Sequence, residues 1–293
     1  MNIAIACCRR SADSAADVLE FDADTTPLQT ALSKLGVSSS LVSWDDPNAE
    51  WATFSKVVVS STWDSVDRPA EYLAWARAVE SSSVLINPFS ALEWGLDKTH
   101  QRDLAALGVP TISTMWAAPG EVWESPPPFE FVVKPSISAG GRSTARYAAG
   151  DERAIDHVDA LQQSGQTVMI QPFLPAIDVE GELDLVFIRG ELSHAVVKDA
   201  LLHKGRRPPE RPWEEMTWSG LSVPSSKQRD VGDHTMAAVT TLLGQCPAYC
   251  RVDLINDVDR GPVLLEVELI DPYLSLDENT SGAALLAETI CGS

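Results

Sequence analysis

Arg251 and Asp253 in the segment Tyr-Cys-Arg-Val-Asp-Leu-Ile, with Glu266 and Glu268 in Leu-Leu-Glu-Val-Glu-Leu-Ile, have the residue types and spacing that point most directly to chemistry. Both segments alternate charged with apolar residues, and strand side chains alternate between faces, so the charges of each pair point the same way. The turn-rich stretch 256–261 between them predicts an antiparallel hairpin whose register sets Asp253 opposite Glu266 and Arg251 opposite Glu268. Like charges directly opposite each other destabilise a ladder. Three carboxylates converging between apolar residues therefore call for a cation, and an all-oxygen set suits Mg²⁺ or Mn²⁺ rather than zinc. The same alternation also describes the solvated outer face of an antiparallel sheet, and on these residues alone the two readings weigh about evenly.

Two further segments could handle a nucleotide. Lys134 ends Phe-Val-Val-Lys-Pro, directly before a loop containing Ser138, Gly140 and Gly141. Glycines let backbone N–H groups surround phosphate oxygens, and a strand-end lysine adds charge. A Gly-Gly turn beside a surface lysine is the plainer reading, and neither a Walker A loop nor a dinucleotide fingerprint is present. Gln171, Phe173 and Leu174 close an apolar strand ahead of Asp178, a pattern that suits adenine followed by ribose or an edge strand closed by prolines. His194 and His203 have no partner at metal-ligand spacing, and no Gly-x-Ser-x-Gly elbow supports a hydrolase.

Elements that could position these residues follow from periodicity. Strands are expected at 2–6, 40–44, 56–60 and 84–87, with helices at 26–35 and 70–79, which together describe an open parallel sheet. Ligands of such sheets gather beyond the carboxyl ends of the strands, where Arg9 and Arg10, and Thr62, Trp63 and Asp64, are found. A helix is expected at 97–107, capped by Asp97 and stopped by Gly108. Further on come strands at 129–135 and 168–174, a helix at 151–165, and a hairpin over 181–198 turning at Arg189 and Gly190. Residues 199–226, with Trp213 and Trp218, read as irregular.

Composition limits the partners. A chain of 293 residues can bury two or three cores, and its net charge of −20 argues against nucleic acid or an anionic membrane. No apolar run approaches the ~20 residues that span a bilayer, the start reads as a strand rather than a secretory leader, and five cysteines form no metal array. A reduced cytoplasmic protein is expected, with a homo-oligomer left open.

In chain order the pieces resemble the ATP-grasp ligases: Lys98, Lys134 before the glycine-rich loop, Gln171-x-x-Leu174, Asp178, Gly181-Glu182, Arg251-x-Asp253 and Glu266-x-Glu268. The ordered set is far more specific than any member of it. The resemblance implies an α/β fold of ATP-grasp architecture: an N-terminal open α/β lobe (1–93), a central lid lobe (94–170) and a C-terminal lobe (171–293) enclosing ATP, the nucleotide lobes being α+β. It implies that Lys98 and Lys134 contact phosphates and that the loop over 138–144 closes on them. Gln171, Phe173 and Leu174 would border adenine, Asp178 would hold ribose, Arg251 would meet the transferred phosphate, and Asp253, Glu266 and Glu268 would hold Mg²⁺. Glu268 departs from the asparagine of many members.

Ser-Thr-Trp-Asp64, Asn-Pro88, Leu-Asp-Lys98 and Glu-Leu-Ile-Asp-Pro-Tyr-Leu-Ser-Leu276 resemble the subgroup that includes the cycloserine-forming cyclo-ligase. That resemblance implies a small amino acid as substrate, O-ureido-D-serine, placed near Arg9, Thr62, Trp63 and Asp64. An intermolecular amide or dipeptide ligase and a nucleotide-binding module without turnover are the competing readings. Lys134→Met keeps the aliphatic stem and removes the charge, so calorimetry is expected to show a clear loss of ATP affinity; equal binding would make Lys134 an ordinary surface lysine.

Overall fold

A computed structural model of the protein describes residues 1–9, 19–20, 23–202 and 216–292. The alternating pattern at the start of the chain folds as it reads. β1 (Asn2–Arg9) pairs antiparallel with the short β2 (Leu19–Glu20) and parallel with both β3 (Ser38–Ser43) and β4 (Lys56–Ser61), and β4 pairs parallel with β5 (Val84–Ile86). Alternation divides the sheet's two faces. Ile3, Ile5 and Val58 form one core with Leu28 and Leu32 of α1 (Thr25–Lys34), while Ala4, Ala6, Val57 and Val59 form another with Tyr72, Ala76 and Val79 of α2 (Pro69–Glu80).

The helix expected over 97–107 is broken differently. α3 (Phe89–Leu96) precedes a 3₁₀ turn at Lys98–His100 and a short α4 (Gln101–Ala106). Phe89, Ala91, Leu92 and Leu96 are all buried, so α3 is apolar on several sides and shows no amphipathic stripe in the sequence. Asp97 takes an extended conformation and its side chain accepts from the Thr99 N–H, 2.9 Å. That break delivers Lys98, whose N–H donates to the Ser136 carbonyl, 2.9 Å.

The second sheet is antiparallel throughout. β6 (Met115–Ala117), β7 (Phe131–Pro135), β8 (Ala145–Tyr147) and β9 (Val168–Pro172) lie in the order β6-β9-β7-β8. One face, with Phe131, Val133, Val168 and Ile170, is covered by Ala154, Val158 and Leu161 of α5 (Arg153–Gln163). Val132, Lys134 and Gln171 consequently face the other way.

After the one-turn α6 (Ile177–Glu180) come β10 (Glu182–Ile188), β11 (Glu191–Lys198), β12 (Trp218–Ser222), α7 (Ser226–Leu243), β13 (Tyr249–Asp257) and β14 (Gly261–Glu268), the strands ordered β12-β11-β10-β13-β14. The 181–198 hairpin forms as expected, with Arg189 and Gly190 at positive φ. β12 lies inside the stretch expected to be irregular; His203 and Trp213 fall outside the described residues. The periodicity reading missed α7, although a capping box joins Ser225 to Gln228 and left-handed Gly244 follows its end. Its Met236 and Val239 cover Leu185, Phe187, Val252 and Leu254, and Gly232 permits the approach, since a Cβ there would stand 2.6 Å from Leu185 Cδ1.

The last helix, α8 (Thr280–Gly292), returns to α1, and its Ala283, Leu286 and Ile290 join the core of Ile3 and Leu28. No helix among the described residues is long and apolar enough to cross a membrane.

His100 is 3 % exposed and stacks on Trp94, ring centroids 4.5 Å apart, with Nδ1 3.2 Å from the Trp94 carbonyl. Burial, reinforced by Lys98, pushes its pKa down to about 4 from an ordinary 6.5. A base with a depressed folded pKa contributes stability that is present above its unfolded pKa and lost as pH falls toward the folded one. Between pH 6.5 and 4 this residue is expected to cost about 3 kcal/mol of unfolding free energy. Denaturant titrations at both ends of that window check it, because His100→Phe should show a correspondingly shallower loss.

Candidate active site

The hairpin register matches the expectation: Asp253 lies opposite Glu266 and Arg251 opposite Glu268, with a bulge beyond Asp253. This is not a solvated face. Arg251 and Asp253 are 4 % and 0 % exposed, and Asp184 of β10 stands opposite Asp253 on the other side. Three acids thus follow one another across β10, β13 and β14. Cations separate them. Arg251 Nε and Nη2 donate to the two oxygens of Asp253 at 2.7 and 2.9 Å, and its Nη1 donates to the Tyr273 carbonyl at 3.1 Å. Glu268 lies 2.9 Å from Arg251 Nη2, Lys98 Nζ is 2.8 Å from Glu266, and Lys198 Nζ is paired to Glu182.

The balance of fields differs along the row. Burial raises Glu266, but Lys98 and Lys134 outweigh it and hold the carboxyl at about 2. Burial pushes Glu268 up to about 7 against Arg251, with Glu266 and Asp253 adding to the rise. Asp184 rises to about 6 through burial and Asp253, against Lys198, Arg251 and a hydrogen bond from Trp218. Carboxylate oxygens of Asp253, Glu266 and Glu268 come within 4.8 Å of one another. An all-oxygen set that holds Glu268 near protonation without further positive charge fits a divalent hard cation. Glu266 and Glu268 face the cleft, while Asp253 lies beneath them.

Above this face opens a cleft whose lining includes Lys98, Lys134, Ser138, Gly140, Gly141, Gln171, Phe173 and Leu174. Lys134 is 8 % exposed and has no carboxylate within ion-pair distance among the described residues. Burial lowers its pKa, with Lys98 adding to the effect and Glu266 opposing it. An ammonium so placed is matched by an anion entering the cleft. Gly140, Gly141 and Ser143 take positive φ, which bends the loop around the mouth, and Lys98 Nζ is anchored on the Ser138 carbonyl. Gln171 Nε2 donates to Thr114 Oγ1 at 2.9 Å, beside an apolar slot of Val132, Phe173, Leu174, Ile177 and Leu265.

Asp178 is the nucleotide candidate that the structure does not bring to the cleft. Both its oxygens accept from Arg146 Nη1, at 3.0 and 2.9 Å, and that guanidinium lies 3.3 Å over the Phe173 ring. α6 turns Asp178 outward, and the lining instead includes Glu182, eleven residues after Gln171. Sequence reasoning gave Glu182 no role of its own and passed over Asp184 and Lys198. For the two acids the signal was the same alternation, Glu-Leu-Asp-Leu, on the neighbouring strand.

The first-lobe candidates gather beyond β1 and β4, outside the cleft lining. Thr62 N–H and Oγ1 lie 2.9 and 3.3 Å from Asp271 Oδ2, which joins this turn to the chain just past Glu268. Asp64 is occupied structurally: Cys8 Sγ at 2.9 Å and Trp44 Nε1 at 2.7 Å donate to its Oδ1, and Arg68 donates to Oδ2. Trp63 is half-buried on the same turn. Arg9 lies 3.4 Å from Asp46, and Arg10 is outside the described residues.

Comparison with known proteins gives this arrangement a family. Residues 3–87 match the model of the D-cycloserine synthetase DcsG N-terminal domain. The chain is 34 % identical to the cycloserine biosynthesis protein DcsG of Streptomyces lavendulae over 294 residues, covering 93 % of this chain and 94 % of that one. The crystal structure of D-cycloserine synthetase DcsG superposes with a TM-score of 0.89 at 32 % identity, over 100 % of this chain and 99 % of the other. A D-alanine–D-alanine ligase from Bacillus anthracis complexed with ATP shares the fold, with a TM-score of 0.70 at 13 % identity, covering 100 % and 96 %. With identity sustained over nearly its whole length, the chain belongs to the DcsG family.

Proposed function

We propose that this ligase uses ATP to close one small D-configured amino acid, O-ureido-D-serine, into the ring of D-cycloserine. The buried Lys134, without an ion-pair partner among the described residues, beside a glycine-rich loop and facing a row of acids across the cleft, is the observation that carries the reading. A polyphosphate would match the cation, and Asp253, Glu266 and Glu268 would hold a divalent ion. In this reading residues 1–93 form the substrate side, and 94–170 and 171–293 enclose the nucleotide.

Lys98 and Lys134 hold the phosphates, and Gln171, Phe173 and Leu174 border the base. Arg251, fixed by Asp253 and the Tyr273 carbonyl, meets the γ-phosphoryl group as it passes to the substrate carboxylate. Mg²⁺ held by Glu266, Glu268 and Asp253 would neutralise charge on the phosphates during transfer; Mn²⁺ suits the same oxygens. The substrate nitrogen bound to the side-chain oxygen then attacks the acylphosphate carbonyl, forming the ring C–N bond and expelling phosphate. Its carbamoyl group is lost by hydrolysis to give the free ring. The loop over the mouth keeps water from the mixed anhydride before closure.

Glu266→Gln removes one acidic ligand and the partner of Lys98, and should lower turnover by roughly a hundredfold while leaving circular dichroism unchanged; undiminished turnover would sink the metal assignment. The substrate is tested by supplying ATP, Mg²⁺ and O-ureido-D-serine alone and reading ADP and product mass. A ring without a free carboxylate is expected. ADP only on adding a second amine, with a linear amide as product, would replace cyclisation by intermolecular ligation.

A further inference from the structure

The loop at the cleft mouth is tied to the first lobe by contacts that neither the nucleotide nor the acid row explains. Arg142 directly follows Gly141, and its Nη1 lies 2.6 Å from Asp67 Oδ2. Ile137, earlier in the same loop, packs against the first-lobe core of Ala6, Val59 and Phe89. Asp67 belongs to a tight turn: Ser65 N–H donates to the Thr62 carbonyl at 2.8 Å and Asp67 N–H to the Asp64 carbonyl at 3.0 Å. Arg68 braces that turn through Asp64 and Asp45, its guanidinium 4.4 Å over the Trp44 ring. The turn's other end, Thr62, is bonded to Asp271. Contacts therefore run in a closed circuit from the acid strand β14 through Asp271 and the turn to Asp67, Arg142 and the glycines over the cleft.

We propose that Asp67 and Arg142 form a latch by which the first-lobe turn holds the glycine-rich loop over the nucleotide, making both of them positioning residues for the ligase reaction. The proposal rests on the cleft being the nucleotide site. An acylphosphate must be shielded from water until the ring closes, and a loop fastened to the lobe assigned to the amino acid makes that shielding depend on the substrate side of the enzyme. The pair is partly exposed, 25 % at Arg142 and 59 % at Asp67, so its grip weakens as salt rises.

Calorimetry with the Mg²⁺ complex of a non-hydrolysable ATP analogue needs no amino acid, so it tests the latch independently of the substrate assignment. Asp67→Asn and Arg142→Gln are each expected to weaken binding about fivefold. Asp67→Glu should bind as the parent does, and the reversed pair Asp67→Arg with Arg142→Asp should recover most of the loss. With ATP and the amino acid, the single variants should also release more ADP per ring formed. Equal affinity in parent and single variants, or a reversed pair no tighter than the singles, overturns the latch alone. Failure of the parent to bind the analogue overturns the nucleotide reading and the latch with it.

Discussion

A row of carboxylates on adjacent buried strands, Asp184, Asp253 and Glu266, is the constraint to which the rest of the site answers. Acids at ladder spacing in a poorly screened interior repel by several kcal/mol unless positive charge lies between them. Four separate elements supply it: Lys98 from the broken helix before α4, Lys134 from the second sheet, Lys198 from β11 and Arg251 from within the row. The extended conformation at Asp97 is part of the same answer, because a continuous helix would carry Lys98 around its axis instead of toward Glu266.

Buried ion networks of this kind are weak contributors to net stability, since desolvation offsets most of the attraction. A sheet needing only stability could cover this face with aliphatic residues, as the opposite face does with Val252, Leu254 and Leu185 under α7. The two faces of one sheet therefore divide the work. One holds the lobe together, and the other keeps charge concentrated and oriented, which on the proposed function is the preorganisation that phosphoryl transfer requires.

Legibility in the sequence followed the range of the interactions. The charged hairpin and its register could be read because alternation and a turn are local, and so could the parallel sheet at the start. Asp184 was as visible by alternation as Asp253, but its meaning depends on β10 lying beside β13, a pairing between strands about seventy residues apart in sequence. Asp178 was assigned by its distance from Leu174, and α6 inserts a turn that rotates it onto Arg146. Asp64 had the right place at the strand ends, yet Trp44, Cys8 and Arg68 converge on it from segments that only the fold brings together. α3 was hidden because it is only eight residues long and mostly apolar, so the stripe that marks one half in water is weak in the sequence.

The return of α8 to α1 bears on how the polypeptide reaches this state. Ile3, Ile5, Leu28 and Leu32 share their core with Ala283, Leu286 and Ile290, and the buried Asp24 accepts from the N–H groups of Leu274 and Leu276. The apolar face of β1 is thus fully covered only when residues some 280 positions later arrive, and a loop of more than two hundred residues must close for that contact to form. Vectorial synthesis, which favours lobes that finish in the order they emerge, is of little help here. Until then, one side of the parallel sheet is left to whatever protects nascent apolar surface in the cell.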